Sequence, residues 1–407
     1  MTSLWLAWLP LLFLPNFGVT GQTAFGSLEI SDFLVVPYLP LVALAGYGHR
    51  ERLLSGRLSQ TMLAFACWAM LSTLLIRERY GLLSDVPTIT GVLKIAKMAL
   101  YGTAGLLTIK ALSAESLSRK FPWSLLAAGF VVAVSLFQLR GVSDELRPGQ
   151  LMEGYKAKNA TSVMLAMILC YLGGLWVGSR GTPRWRGVAG AGLAVMTLGL
   201  VLSDGRGGWV AALAGGAYLV LRQGVKARVA CTFAAWAVLL GAAYGTMPEF
   251  QVAVDRTLWP DRDQLHWSGS GVGGIDDGAR LTIWSHELAA LPRSPLLGTG
   301  MFHRGPAAGI WREGSHNFFL QMFLETGLPG GLLVLGSLGL MWRQAGSAAA
   351  RAAGQDVPVR ASLIAAFVGG MSGEYFYGGA VLLVLLLVYA PVGSLRVSHA
   401  SRAEEVP

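Results

Sequence analysis

The residues best suited to chemistry fall in three short stretches of the second half of the chain. The first is Ser203-Asp204-Gly205-Arg206-Gly207-Gly208-Trp209. Its glycines permit a tight turn and let a ligand approach the backbone closely. Arg206 stands at the outer edge of an apolar run, where a guanidinium is costly unless paired or wet. A turn pair between Asp204 and a snorkelling Arg206 would account for it. An anion site accounts for it better, because a guanidinium forks onto phosphate. The second stretch is Gly278-Ala279-Arg280-Leu281-Thr282-Ile283-Trp284; taken alone, its arginine reads as a solvated side chain. The third runs from Ser315-His316-Asn317 through Gln321 and Glu325 to Gly327 and Pro329. Ser315 is placed to cap a helix. Asn317, Gln321 and Glu325, at i, i+4 and i+8, put one polar stripe on an otherwise apolar helix, which Gly327 and Pro329 then break. His316 stands at the helix N terminus, where backbone N–H groups favour anions. Its imidazole titrates near neutral pH, which suits a general base. A plain interfacial histidine is the alternative, and the stripe and the break weigh against it.

Further cations lie upstream. Lys94 and Lys97, at i and i+3, share a helix face and either snorkel or hold a lipid phosphate. Arg140 is a similar, weaker candidate. Tyr375 and Tyr377, beside Glu374, read as an interfacial aromatic belt. His266 and His303 carry no assigned role.

The elements that must position these residues are membrane helices. The chain has 407 residues, 53% hydrophobic and 14% charged, with mean hydropathy +0.52. Soluble domains carry about 25% charge, so an ordinary soluble enzyme and a disordered chain are both excluded. Lys and Arg number 32 against 23 acids, a net +9. The positives sit in short clusters between apolar runs, which argues against nucleic acid as a partner. Cys67, Cys170 and Cys231 all lie in apolar runs and read as small buried hydrophobes, with no disulfide framework and no metal spacing.

A bilayer needs about 20 apolar residues per crossing. About twelve spans are expected: 3–20, 31–48, 58–76, 91–109, 121–139, 159–178, 187–203, 208–221, 229–246, 316–342, 359–374 and 377–395. The first lacks a basic n-region and a cleavage signal and reads as a retained helix. With both termini inside, the inner loops hold 17 Lys/Arg against five acids, as the positive-inside rule requires. The expected organisation is all-α. Nine spans occupy 1–245, a large outer loop occupies 246–315, three spans occupy 316–395, and a tail occupies 396–407. A hydrophilic loop of that length is usually functional. Within it, 283–291 reads as a short helix stopped by Pro292.

The ordered set of Ser203-Asp-Gly-Arg206-Gly-Gly-Trp209, then Arg280 with Leu281, Trp284 and Gly298-Thr-Gly300, then His316-Asn317 with Leu320, Gln321, Glu325 and Gly327, resembles the O-antigen ligase / O-antigen polymerase superfamily of bacterial membrane glycosyltransferases. The resemblance covers about 200–331; upstream, only the run of spans is similar. One position departs from the family's frequent Arg-x-x-x-Leu, because Trp284 stands where leucine is usual. Size and the single large loop resemble the ligase branch. The resemblance implies a GT-C-like polytopic fold with a periplasmic loop, in the bacterial inner membrane. It implies a donor glycan on undecaprenyl pyrophosphate, a lipid A–core acceptor, and neither metal nor nucleotide cofactor. Arg206 and Arg280 would hold the pyrophosphate, with Lys94, Lys97 and Arg140 further out. His316 would be the base, supported by Asn317, Gln321 and Glu325. A polymerase of the same superfamily and a lipid-linked glycan transporter are the alternatives. A transporter would place its charges near the midplane, whereas here they cluster towards one face.

Overall fold

The computed structural model describes residues 4–13, 22–23, 26–27, 30–46, 56–80, 85–112, 120–142, 148–178, 183–202, 205–223, 241, 244–246, 251, 277–301, 316–373, 376 and 379–404. These are helical almost throughout, apart from one two-residue antiparallel pair, Gln22–Thr23 with Gly26–Ser27. The helices are α1 (Leu4–Trp8), α2 (Ile30–Gly46), α3 (Arg57–Tyr80), α4 (Asp85–Ala111), α5 (Phe121–Val142), α6 (Pro148–Gly178), α7 (Pro183–Leu202), α8 (Arg206–Gln223), α9 (Asp277–Ala290), α10 (Phe318–Ala345), α11 (Ala348–Ala352), α12 (Asp356–Ser372) and α13 (Gly379–Glu404).

A described helix stands within each expected span except 229–246, of which only 241 and 244–246 are described. Among the described residues, stretches of four helices are long and apolar enough to cross a membrane: Arg57–Leu75, Ile89–Ala111, Ala160–Gly178 and Phe318–Ala345. Of the expected first span, 3–20, residues 4–13 are described. Its described part is one α turn followed by a 3-10 turn, Leu9–Phe13, with Pro10 unable to donate to the preceding turn. Within the expected loop, the helix begins at Asp277 rather than 283 and gives way to a 3-10 turn, Leu291–Arg293. Arg280 is therefore a helical residue. Of the rest of the loop only 246, 251 and 294–301 are described; His266 and His303 lie outside the described residues, as do Ser203, Asp204, Glu374, Tyr375 and Tyr377.

Helices apolar on every side must be buried or face lipid, and both outcomes occur. In α6, residues 163–172 are all buried. In α13, 380–394 are buried except Leu382. Leu213 and Leu221 of α8, Leu332 of α10, and Phe33 and Leu44 of α2 are exposed. A soluble surface avoids so much exposed apolar area, and lipid explains it. The most extensive pairings are α12 with α8 and α6, α13 with α4, α6 with α8, and α10 with α3. Small residues let these backbones close up, as membrane bundles require. A Cβ on Gly208 would lie 2.5 Å from Ser162 Oγ, and one on Gly215 2.4 Å from Cys170 Sγ. Those two contacts set α6 and α8 parallel.

Candidate functional site

The head of α10 is built by Asn317. Its side-chain oxygen accepts from the N–H groups of Phe319 (3.1 Å) and Leu320 (3.2 Å). The cap is thus Asn317 and not the expected Ser315, which lies outside the described residues. His316, just before the cap, is half-buried and has φ 50°. That left-handed conformation is uncommon for a non-glycine residue, though less so for histidine. Beneath it, Phe318 stacks against Phe376 (5.0 Å between ring centroids) and Phe319 against Phe367 (4.9 Å). The rest of the stripe turns inward. Gln321 and Glu325 are buried, and Gln321 Nε2 donates to Glu325 Oε1 at 2.7 Å.

The expected break is present. Gly327 adopts φ 69°, ψ −176° inside α10, a region essentially open only to glycine. Pro329 follows without an N–H. In a continuous helix the carbonyls of Leu324, Glu325 and Thr326 would accept from residues 328, 329 and 330. Here Leu324 and Glu325 accept from outside the helix, and Thr326 O is reached from α3 as well. Leu324 O accepts from Thr299 N–H (2.9 Å) and Glu325 O from Gly300 N–H (2.9 Å). Glu325 O also accepts from Ser72 Oγ (3.3 Å), and Thr326 O accepts from Trp68 Nε1 (2.8 Å). In return, Leu328 N–H donates to Pro295 O at 2.8 Å. Residues 294–301 thus form a strap across the break. α3 holds the strap as well, since Ser72 Oγ donates to Leu297 O and Met301 N–H donates to Thr73 Oγ1 (3.1 Å). Backbones approach closely here: a Cβ on Gly298 would lie 2.5 Å from Gly327 N, and one on Gly91 of α4 2.6 Å from Met301 O.

The strap continues directly from α9, which packs on α10. Arg280 is a residue of α9, three positions before the buried Ile283. Arg206 is the first residue of α8. Its helix end and the head of α10 lie at the same end of the bundle. Gly208 abuts Ser162, Gly369 of α12 abuts Val163, and Gly370 abuts Phe319. The backbones of Arg206 and His316 are therefore joined through α6 and α12. The side chains of Arg206, Arg280 and Arg140 are outside what is described; Arg140 lies near the C-terminal end of α5.

Lys97 has a partner that sequence reasoning missed. Its ammonium lies 2.9 Å from Asp32 Oδ2, and Tyr101 Oη donates to Asp32 Oδ1 at 2.8 Å. Lys94, one turn earlier on the same helix, is half-buried. Trp68, Ser72 and Thr73 were also missed. Their only sequence signal was polarity inside an apolar span.

A cavity of about 170 Å³ lies between α3, α4, α10 and α13. Its wall is apolar, and it includes Phe318 and Phe319 at one end and Leu106 and Met341 deeper. Ser337, one of its few hydroxyls, donates to Leu333 O of its own helix. Leu63 and Ala99, both exposed, form a rim on the outside of the bundle.

The model of a protein family described as O-antigen ligase matches residues 191–335. No curated protein matches the chain. The matched range begins in α7 and ends in α10, and it contains Arg206, α9, the strap, His316 and the break.

Proposed function

We propose that this chain, which the family match supports assigning to the O-antigen ligases, moves a glycan from undecaprenyl pyrophosphate to lipid A–core oligosaccharide. The match supports a lipid-linked glycan transferase in general, of ligase or polymerase type; the donor, the acceptor and the periplasmic face of the bacterial inner membrane are our reading. One observation carries it: the helix that starts with Arg206 and the helix headed by His316 and Asn317 both begin at the same end of the bundle, and the helix that bears Arg280 packs on the second of them.

The chemistry follows from those groups. His316 takes the proton from the acceptor hydroxyl. The hydroxyl oxygen bonds to the anomeric carbon while the bond from that carbon to the pyrophosphate oxygen breaks. One displacement inverts the anomeric centre. Positive charge fixed at the departing oxygen lowers the barrier, and we assign that task to Arg206 and Arg280. Lys94, Lys97 and Arg140 are proposed as outer contacts, with Lys97 sharing its ammonium with Asp32. Asn317 fixes the turn that presents His316, and the buried Gln321–Glu325 pair stiffens the helix behind it. The apolar cavity that begins at Phe318 and Phe319 accommodates the polyprenyl chain. It follows α4 from Ile95 to Leu106, about 16 Å at helical rise, and offers that chain an apolar path leading away from His316.

The test is reconstitution of the purified protein with polyprenyl-pyrophosphate glycan and lipid A–core, without nucleotide or metal. Glycan moving onto lipid A–core supports the ligase. Longer glycan still on the carrier would make it a polymerase. No product beside an active control enzyme would leave transport of the lipid-linked glycan as the better account.

A further inference from the structure

We infer that Thr73, with Trp68 and Ser72, acts as a positioning residue for the transfer reaction: the outer half of α3 latches the 294–301 strap and so sets the register between Arg280's helix and His316's helix. This rests on the function proposed above. The three residues lie more than 100 positions upstream of the family match, which starts at 191.

The argument is one of connectivity. α9 reaches α10 through the 3-10 turn and then the strap, eight residues of which only Gly298 and Gly300 have positive φ. The strap's own N–H groups at Thr299 and Gly300 are spent on the break in α10. That fixes the middle of the strap to α10 but not its end at Met301. α3 fixes that end and braces the rest with four hydrogen bonds from three side chains. Trp68 Nε1 reaches Thr326 O below the strap, Ser72 Oγ bridges Leu297 O and Glu325 O, and Thr73 Oγ1 receives Met301 N–H at the strap's end. Thr73 Oγ1 can accept there because its own proton goes to Ala69 O at 2.7 Å. The hydroxyls of Ser72 and Thr73 are fully buried, so water cannot replace them. Gly91 closes the other side: any side chain at that position would meet Met301 O.

A misplacement of about 1 Å between reacting groups can cost on the order of 10²-fold in rate. Loosening the latch should therefore lower turnover and leave substrate binding intact. The test uses the full chain in lipid nanodiscs with Thr73→Val, which keeps shape and removes the acceptor, and Thr73→Ser, which keeps the hydroxyl. Two readouts are taken: steady-state transfer, and hydrogen exchange at the amides of Thr299, Gly300 and Met301. In Thr73→Val we expect exchange at Met301 to quicken at least tenfold. We also expect kcat to fall about 10- to 100-fold with both KM values within about twofold, and Thr73→Ser to restore both readouts. Should Thr73→Val fail to fold, Trp68→Phe removes one donor and keeps the ring, and is read in the same way. Unchanged exchange in the strap overturns the latch. Faster exchange with unchanged kcat, or a loss confined to KM, overturns the positioning role. If the wild-type protein itself transfers nothing, the proposed function fails, and the exchange readout alone still decides whether α3 holds the strap.

Discussion

Gly327→Ala is the perturbation whose consequence is best fixed by the structure. The added Cβ would lie 2.1 Å from Leu296 O, 2.4 Å from Leu296 C and 2.9 Å from Pro295 O. These are backbone atoms of the strap, not the tip of a flexible side chain. Reaching ordinary contact at 3.4 Å requires the strap to retreat by about 1.3 Å. The φ of 69° with ψ near 180° adds about 1–3 kcal/mol for any L side chain. Retreat strains up to three bonds, from Leu328 to Pro295, Thr299 to Leu324 and Gly300 to Glu325, each worth about 0.5–1.5 kcal/mol net. The expected loss of stability is about 3–6 kcal/mol, with turnover down about 10²-fold in whatever protein remains folded. Thermal unfolding in detergent and initial transfer rates read the two effects. Gly336→Ala, in the same helix with nothing within 4 Å of its Cβ, is the internal control; it should be neutral, or more stable by up to about 1 kcal/mol. If Gly327→Ala unfolds and turns over like Gly336→Ala, the strap is not packed on the break and the reasoning fails.

Three further outcomes are expected. His316→Ala should reduce transfer by about 10²–10⁴-fold. His316→Gly should lose as much activity yet unfold at a higher temperature than His316→Ala, because glycine takes φ 50° without strain; equal unfolding temperatures would contradict the conformation at that residue. Arg206→Ala and Arg280→Ala should each cost about 10²–10³-fold in kcat, measured with saturating donor, and wild-type turnover in either would remove that arginine from the site. Gln321→Leu should destabilise by about 1–3 kcal/mol, since the buried Glu325 Oε1 loses its 2.7 Å donor; Gln321→Glu, which sets a second carboxylate against the first, should be worse by the same unfolding assay.

Much of the helical framework was legible, and for a simple reason. Hydropathy and the placement of Lys and Arg report on the bilayer, and the bilayer acts on every span alike. The break in α10 was legible as well, because a Gly-x-Pro pair inside an apolar helix has few other meanings. The details around it were less so. Asn317 displaced Ser315 as the cap, a shift of two residues between two good capping types that local sequence does not decide. α9 begins at Asp277 rather than 283, because no apolar period marks its first six residues. Asp32 as the partner of Lys97 joins residues 65 apart, and no motif links them. Trp68 donates to a carbonyl 258 residues away. Nothing in the periodicity of α3 distinguishes a tryptophan that faces lipid from one that completes another helix's hydrogen bonds.

That last pairing shows what the sequence did imply without locating it. Carbonyls freed by a break inside an apolar bundle have no water to turn to, and each one left without a donor is costly. The Gly327-x-Pro329 signal therefore requires donors from outside the helix for the carbonyls just before the break, Glu325 O above all, before any fold is known. Three donor groups meet that demand: strap amides, a serine hydroxyl and an indole. The strap is bonded to the break and also carries the chain from Arg280's helix. The hydrogen bonds that make the broken helix tolerable are thus the same ones that tie Arg280's helix to His316's. On this reasoning, restoring a continuous α10 by replacing both Gly327 and Pro329 with alanine would remove the demand for those donors, release the strap and abolish transfer even where the helix itself became more stable.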